Sequence, residues 1–585
     1  MVFRFYAFTL DEQRRELSVG GRELRLQPRV FDVLTYLLRH RDRVVSKDEL
    51  LQVLWPGMVV VDGALQRVMS LARTALREGR AEDAIRTHAR RGYRFCADVE
   101  ESDEVRRDPD AAAEALAAGQ WETAEAVFRS VDAVAGLSAD ALEQWAQVLQ
   151  YTGRGNLAIA PLERAVAAHA IAGARGNAAR SALCLAQIEF EQRNFAVAEG
   201  WLQRASRLLD GQDDTREAGV LAWLASRMAL ATGDNATALD RAEQAYALGI
   251  RLHDIGIETL GLLYRGHALM ACGEMRRGVA LHDEAGATIL SGQAEPWLGG
   301  NIYCGIIWAC RNRADWHRAA QWTDRFSSWC RDTGLNAYPG TCRLHRAEVL
   351  SVRGDLEQAE REAKAAREVL AASAPWAEGD AWRVLGDLYL TRGELDGAES
   401  AYRQAHTLGW DPNPGYARLL VTLGRYDAGV RSLEQTLADP VWSNRERRGL
   451  LLSEMAILTA QGGDLERARL ALAELEHKPE LGETPAIKAQ VIRARAELAH
   501  TAGRTAAAAT ELRQALRLWR EIGSPPNLAA TQLRLAEWLA SGGDTDGGEL
   551  DFAAAEALAE TTNIPALMEK CAAMRRAIVG VNRKA

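Results

Sequence analysis

The chain has 585 residues, too many for one hydrophobic core, and its 48% hydrophobic and 26% charged content excludes a disordered, collagen-like or membrane-embedded protein. Its net charge of −9 is unevenly spread: residues 1–100 carry 18 basic and 14 acidic side chains, net +4, and the remainder 53 and 66, net −13. A basic head on an acidic body fits a head that binds nucleic acid.

In the head, Phe3–Phe8 (FRFYAF) alternates and is aromatic-rich, which predicts a strand. Glu16–Val19 and Glu23–Leu26 are predicted as two more, joined by a Gly20-Gly21 turn. A helix opens near Pro28 with Val30, Phe31, Val33, Leu34, Leu37 and Leu38 on one stripe. Ser46, with Glu49 three residues on, predicts a capping box for a second helix that stops at Pro56-Gly57. Asp62 is read as the cap of a third. That helix places Leu65, Val68, Met69, Ala72, Ala75 and Leu76 on one side, and Gln66, Ser70, Arg73 and Arg77, flanked by Arg67 and Thr74, on the other. Strands at Ile85–Thr87 and Tyr93–Phe95 then flank a His88–Gly92 turn.

Three strands, three helices and a closing hairpin in this order resemble the OmpR/PhoB-type winged helix-turn-helix domain of bacterial transcription regulators. The matching segments are LQPRVFDVLTYLLRHRDRVVSKDELLQVLWPG, VDGALQRVMSLARTAL and IRTHARRGYRF, which cover almost all of residues 1–98. One departure is Leu71-Ala72, where the family usually has a polar residue followed by Leu; it softens the helix packing and shifts base preference. The resemblance implies a DNA-binding output domain of phosphorelay type, double-stranded promoter DNA as partner and a homodimer on adjacent half-sites. It also implies contact with RNA polymerase through the Trp55–Val61 loop. Because the chain opens with this domain, no receiver is expected before it.

The residues support the same reading independently. A helix fits the major groove, where Gln66 can pair with adenine and Arg67 or Arg73 with guanine, and where Ser70, Thr74 and Arg77 share the same face. Thr87, Arg90 and Arg91 on the wing can reach a minor groove or the backbone, and the Ser46–Lys47 helix start can hold a phosphate on its free N–H groups. The competing reading is a solvated arginine-rich helix face.

Residues 99–110 are polar and acidic and read as a linker. From 111 to 585 a small–bulky pattern recurs about twelve times, with copies at Gly119, Gly153, Phe195, Gly233, Gly273, Ala314, Gly354, Gly393, Gly424, Gly463, Gly503 and Gly543. It resembles the tetratricopeptide repeat, with steps of 39 and 40 residues and one of 31. A period above the usual ~34 predicts helices longer by a turn or extended loops. The expected fold is therefore mostly α: an α+β winged helix, then an all-α tetratricopeptide-like superhelical solenoid. Its concave groove is expected to hold a protein, peptide or small-molecule effector.

There is no G-x-x-x-x-G-K-[ST], H-E-x-x-H or G-x-S-x-G motif, so no catalytic residue, cofactor or metal is expected. The eight cysteines include no C-x-x-C pair and read as reduced. Trp297, Trp308, Trp316, Trp322 and Trp329, with Tyr303, Phe326, Tyr338 and four cysteines, read as fillers of helix seams; an aromatic pocket or a thiol sensor is the competing reading. No signal peptide or membrane-spanning run is present, so a cytoplasmic protein without a membrane partner is expected. Together these features predict a sequence-specific transcription regulator controlled by its repeats. The alternative is an interaction scaffold with a vestigial DNA-binding head.

Overall fold

The structure is a computed structural model that describes the chain apart from residues 1, 13–14, 21, 25, 56–61, 90, 103–108, 291–295, 333–339 and 583–585. The chain forms two compact units, residues 1–137 and 138–585.

The first unit opens with β1 (Val2–Phe5), whose Phe3 and Phe5 are buried while Arg4 is exposed. Tyr6 takes a φ of 50° and turns the chain at once, so that Phe8 of β2 (Phe8–Asp11) pairs with Phe5. The aromatic run expected as one strand is thus two, with the Phe5 and Phe8 rings stacked 5.4 Å apart. β3 (Glu16–Val19) and β4 (Arg22–Leu24) continue the antiparallel meander.

Helix α1 (Pro28–Arg39) buries all six apolar positions expected of it. Helix α2 (Lys47–Leu54) is capped by Ser46, whose Oγ accepts the Glu49 N–H at 3.1 Å. The other half of the expected capping box is diverted. The Glu49 carboxylate accepts from Arg43 (2.6 and 2.9 Å) and from the Tyr36 hydroxyl (2.7 Å), fastening α2 to α1. These donors hold its carboxyl down at about 2. The Pro56-Gly57 stop lies outside the described residues, as does the side chain of Asp62.

Helix α3 (Asp62–Arg77) is followed by the hairpin β5 (Ile85–His88) and β6 (Gly92–Phe95). Val45 adds a third rung to that hairpin: its N–H donates to Tyr93 O at 2.8 Å and its O accepts from Tyr93 N–H at 2.9 Å. The segment read as a linker begins with structure: β7 (Glu100–Ser102) pairs with β1 and completes a sheet of order β4-β3-β2-β1-β7. One helical hairpin, Pro109–Ala117 and Trp121–Ala135, completes the unit.

The second unit is a tetratricopeptide-like superhelical solenoid. Among the described residues it comprises eleven helical hairpins and a final helix, Pro565–Asn582. Each hairpin turns on one left-handed residue, which explains the spaced glycines; Gly463, with φ 84°, is representative. Arg193 (φ 63°) and Ala314 (φ 52°) hold the position in two repeats, so the second turn of this unit lies at Arg193, just before Phe195. Most helices run 13 to 18 residues, which supplies the long period. The 31-residue step arises because helix Gly415–Thr422 is only 8 residues long.

Successive first helices pack on one another, and buried ion pairs join them. Arg311 reaches Asp380 (2.7 and 3.0 Å) and Glu348, while Arg383 reaches Glu348 (2.6 Å), Asp380 (2.8 Å) and Asp387 (2.7 Å). The coil is tight enough that repeats remote in sequence touch. Thr484 Oγ1 donates to Arg313 O at 3.0 Å, and the Trp376 indole donates to Glu191 O. No helix among the described residues is long and apolar enough to cross a membrane.

The tryptophan-rich region is largely packing. Tyr303, Phe326 and Trp329 are buried in one cluster, with Tyr303 ring centroids 5.2 Å from Phe326 and 5.8 Å from Trp329. Cys310, Cys330 and Cys342 are buried there, Cys304 is half-buried and Trp308 is exposed; the side chains of Trp297 and Tyr338 lie outside the described residues.

Candidate nucleic-acid interface

Helix α3 is amphipathic, and its two faces meet different neighbours. Leu65, Val68, Met69, Ala72 and Leu76 are buried against α1 and the sheets. Leu71 is half-buried at the edge of the same core, so the Leu71-Ala72 pair places its larger side chain at the rim and its smaller one at the centre. On the opposite face Gln66, Arg67, Ser70, Thr74 and Arg77 are exposed. Among the described residues no hydrogen bond or ion pair occupies the side chains of Gln66, Arg67 or Arg77. Thr74 Oγ1 only donates back to Ser70 O at 2.9 Å.

Arg73 shares that face but is already engaged. Its guanidinium donates to Ile85 O at 3.0 and 3.3 Å and to Thr87 Oγ1 at 2.7 Å, and lies 5.9 Å from the Tyr93 ring centroid. Arg73 therefore fastens the helix to the hairpin, and Thr87 is its acceptor. A helical wheel cannot separate this residue from its neighbours, because the fastening depends on where β5 runs.

On the hairpin, Arg91 is exposed and its N–H closes the turn on His88 O at 2.9 Å. Arg90 lies outside the described residues. Arg86, which the sequence reading passed over, is exposed on β5; strand alternation beside Ile85 is the signal that could have found it. Arg94 is held, donating to Arg41 O at 3.0 Å.

The α2 start is less suited to an anion than the sequence implied. Ser46 is occupied as the cap, Lys47 is half-buried and has a partner, and Asp48 and Glu49 in the first turn repel phosphate. The Trp55–Val61 loop lies outside the described residues beyond Trp55.

What remains is a convex helix face bearing an amide and two free guanidiniums, beside a hairpin with exposed Arg86 and Arg91. Residues 21–95 match the family described as "Transcriptional regulatory protein, C terminal". The head is a winged-helix domain of this family. Its resemblance extends to the Transcriptional activator CadC of Escherichia coli (strain K12), 30% identical over 97 residues, 15% of this chain and 19% of the relative. It extends also to the uncharacterized transcriptional regulatory protein YkoG of Bacillus subtilis (strain 168), 37% identical over 46 residues, 8% of this chain and 20% of the relative. The chain thus spans about a fifth of the length of each of these curated relatives.

Two solved structures align with the chain at low similarity. The APC/C hetero-tetramer Cut9-Hcn1 aligns with TM-score 0.40 and 14% identity over 77% of this chain and 86% of that one. A Rap protein complexed with competence and sporulation factor aligns with TM-score 0.26 and 14% identity over 72% and 99%. In the element order of the winged-helix domain, α3 holds the place of the recognition helix and the β5–β6 hairpin that of the wing.

Proposed function

We propose that the chain is a sequence-specific regulator of transcription whose winged-helix head reads promoter DNA under the control of its repeats. The observation that carries this reading is the outer face of α3, with Gln66, Arg67, Ser70 and Arg77 exposed and uncommitted on a rigid helix. Gln66 and Arg67 stand in its first turns, where a recognition helix meets base edges; adenine and guanine are the bases their hydrogen-bonding groups match. Arg77, Arg86, Arg91 and, from the sequence reading, Arg90 supply positive charge for the phosphates, whereas the Ser46–Lys47 helix start, with Asp48 and Glu49 in its first turn, is less suited to them. Arg73 and Thr87 act through the wing, setting its angle to the helix.

The repeats serve as the sensing or docking part, with an effector on their inner face. RNA polymerase contact through the loop after α2, and dimerisation on DNA, belong to the same reading. The test is selection of bound duplexes from a random pool by the full-length protein. The expected result is a recurrent motif that Gln66→Ala and Arg67→Ala each alter at particular positions. A pool with no enriched motif would favour a scaffold whose head has lost its reading function.

A further inference from the structure

We propose that Asp140, Glu143 and His169 form a binding site for a divalent transition-metal ion in the first hairpin of the solenoid. Asp140 and Glu143 are one turn apart at the start of helix Ala139–Tyr151, and His169 is in the last turn of helix Gly155–Ile171. The antiparallel hairpin brings the beginning of one helix against the end of the other. His169 Nε2 lies 3.4 Å from Glu143 Oε1 and 3.7 Å from Asp140 Oδ1. The three donor atoms all fall within 4.8 Å of one another. Metal bonds of about 2.0–2.2 Å at tetrahedral angles place ligand atoms roughly 3.3–3.6 Å apart, so the two measured separations are close to coordination edges.

The imidazole is the independent sign of a ligand. His169 is 5% exposed, and its buried Nε2 faces the two carboxylates at ion-pair distance without hydrogen-bond geometry to either, an arrangement that an ion between them would complete. Glu143 is prepared in the way a ligating carboxylate is. Arg180 donates to Glu143 Oε2 at 2.6 Å and Ser181 Oγ donates to Oε1, fixing its orientation from outside. Asp140 has a largely exposed side chain, which gives an ion a way in.

One imidazole and two carboxylates suit zinc, cobalt, nickel or manganese; calcium and magnesium take oxygen shells. Asp140 and Glu143 also line a cavity of about 600 Å³ with an apolar floor that includes Leu183, Trp223 and Leu260. No sequence motif marks the site, because its ligands come from two helices.

The experiment uses the full-length protein, stripped with chelator and titrated with Zn²⁺ and, for its visible spectrum, Co²⁺. We expect one equivalent whose Co²⁺ absorption carries the signature of nitrogen and oxygen ligands without thiolate. Asp140→Asn, an exposed change that keeps the fold, and Glu143→Gln should each weaken it at least about tenfold. Mg²⁺ and Ca²⁺ should not compete. Equal stoichiometry and affinity in wild type and Asp140→Asn, or a thiolate charge-transfer band as the only signal, would overturn the proposal.

Discussion

Gly92 sits where no side chain fits. A Cβ there would lie 1.9 Å from Val45 O, on the bridge that anchors the wing, and its φ of 137° is one that L-residues avoid. Gly92→Ala should destabilise the head by about 3 kcal/mol, combining backbone strain with overpacking. The urea midpoint of the head's unfolding measures this, and an unshifted midpoint would contradict it. Glu446 presents the opposite difficulty, a charge with little to hold it. It is 9% exposed, with Asn312 Nδ2 at 3.4 Å and Arg313 nearby, and burial pushes its carboxyl up to about 7. A folded-state value above the unfolded one means that the stabilising contribution is complete below the unfolded value and is lost as pH rises through the folded one. Glu446→Gln should match wild type near pH 4.5 and exceed it above about pH 8 by up to ~3 kcal/mol. Urea titrations of both chains across that window would show the gap opening; a constant gap would refute the assignment.

At the scale of elements, α3 and the wing act as one piece joined by Arg73. Arg73→Ala removes charged hydrogen bonds to Ile85 O and Thr87 Oγ1, so it should lower head stability by about 1.5–3 kcal/mol and weaken binding to every DNA sequence alike. Arg67→Ala should leave the melting temperature unchanged and cost about 1–3 kcal/mol at one base position. Paired melts and anisotropy titrations separate the two; the same profile for both would remove the distinction. Much of this element was legible in sequence, because apolar spacing alone identifies the buried side of α3. The role of Arg73 was not, since it depends on strand residues 12 and 14 positions downstream in sequence. β7 was equally hidden: Glu100–Ser102 has no apolar alternation and is a strand only because the β1 edge is there to pair with. In the repeats, glycine marks the turns because it takes the left-handed conformation at least cost, whereas Arg193 and Ala314 pay that strain and leave no such mark. The metal-site candidate was invisible for a related reason, its donors being 26 residues apart between Glu143 and His169.

For the molecule as a whole, the solenoid depends on contacts that no single repeat contains. Asp380 is buried between Arg311 and Arg383, which hold its carboxyl well below the usual carboxylate range. Asp380→Asn strips both arginines of a partner and should cost about 3–5 kcal/mol, read as a loss of cooperativity or midpoint in urea unfolding of the full chain; an unchanged transition would show the network to be dispensable. The helical body is thus one cooperative unit, and the proposed function places the chain's DNA specificity in a few side chains on α3. The most direct test of that claim is fluorescence anisotropy of the full-length protein on its selected duplex and on a scrambled duplex, at one fixed salt concentration, with Arg67→Ala beside wild type. The account predicts that wild type prefers the selected duplex and that Arg67→Ala loses about 1–3 kcal/mol on it while binding the scrambled duplex nearly as before. Equal affinity of wild type for the two duplexes, or an Arg67→Ala protein that retains the full preference, would contradict it.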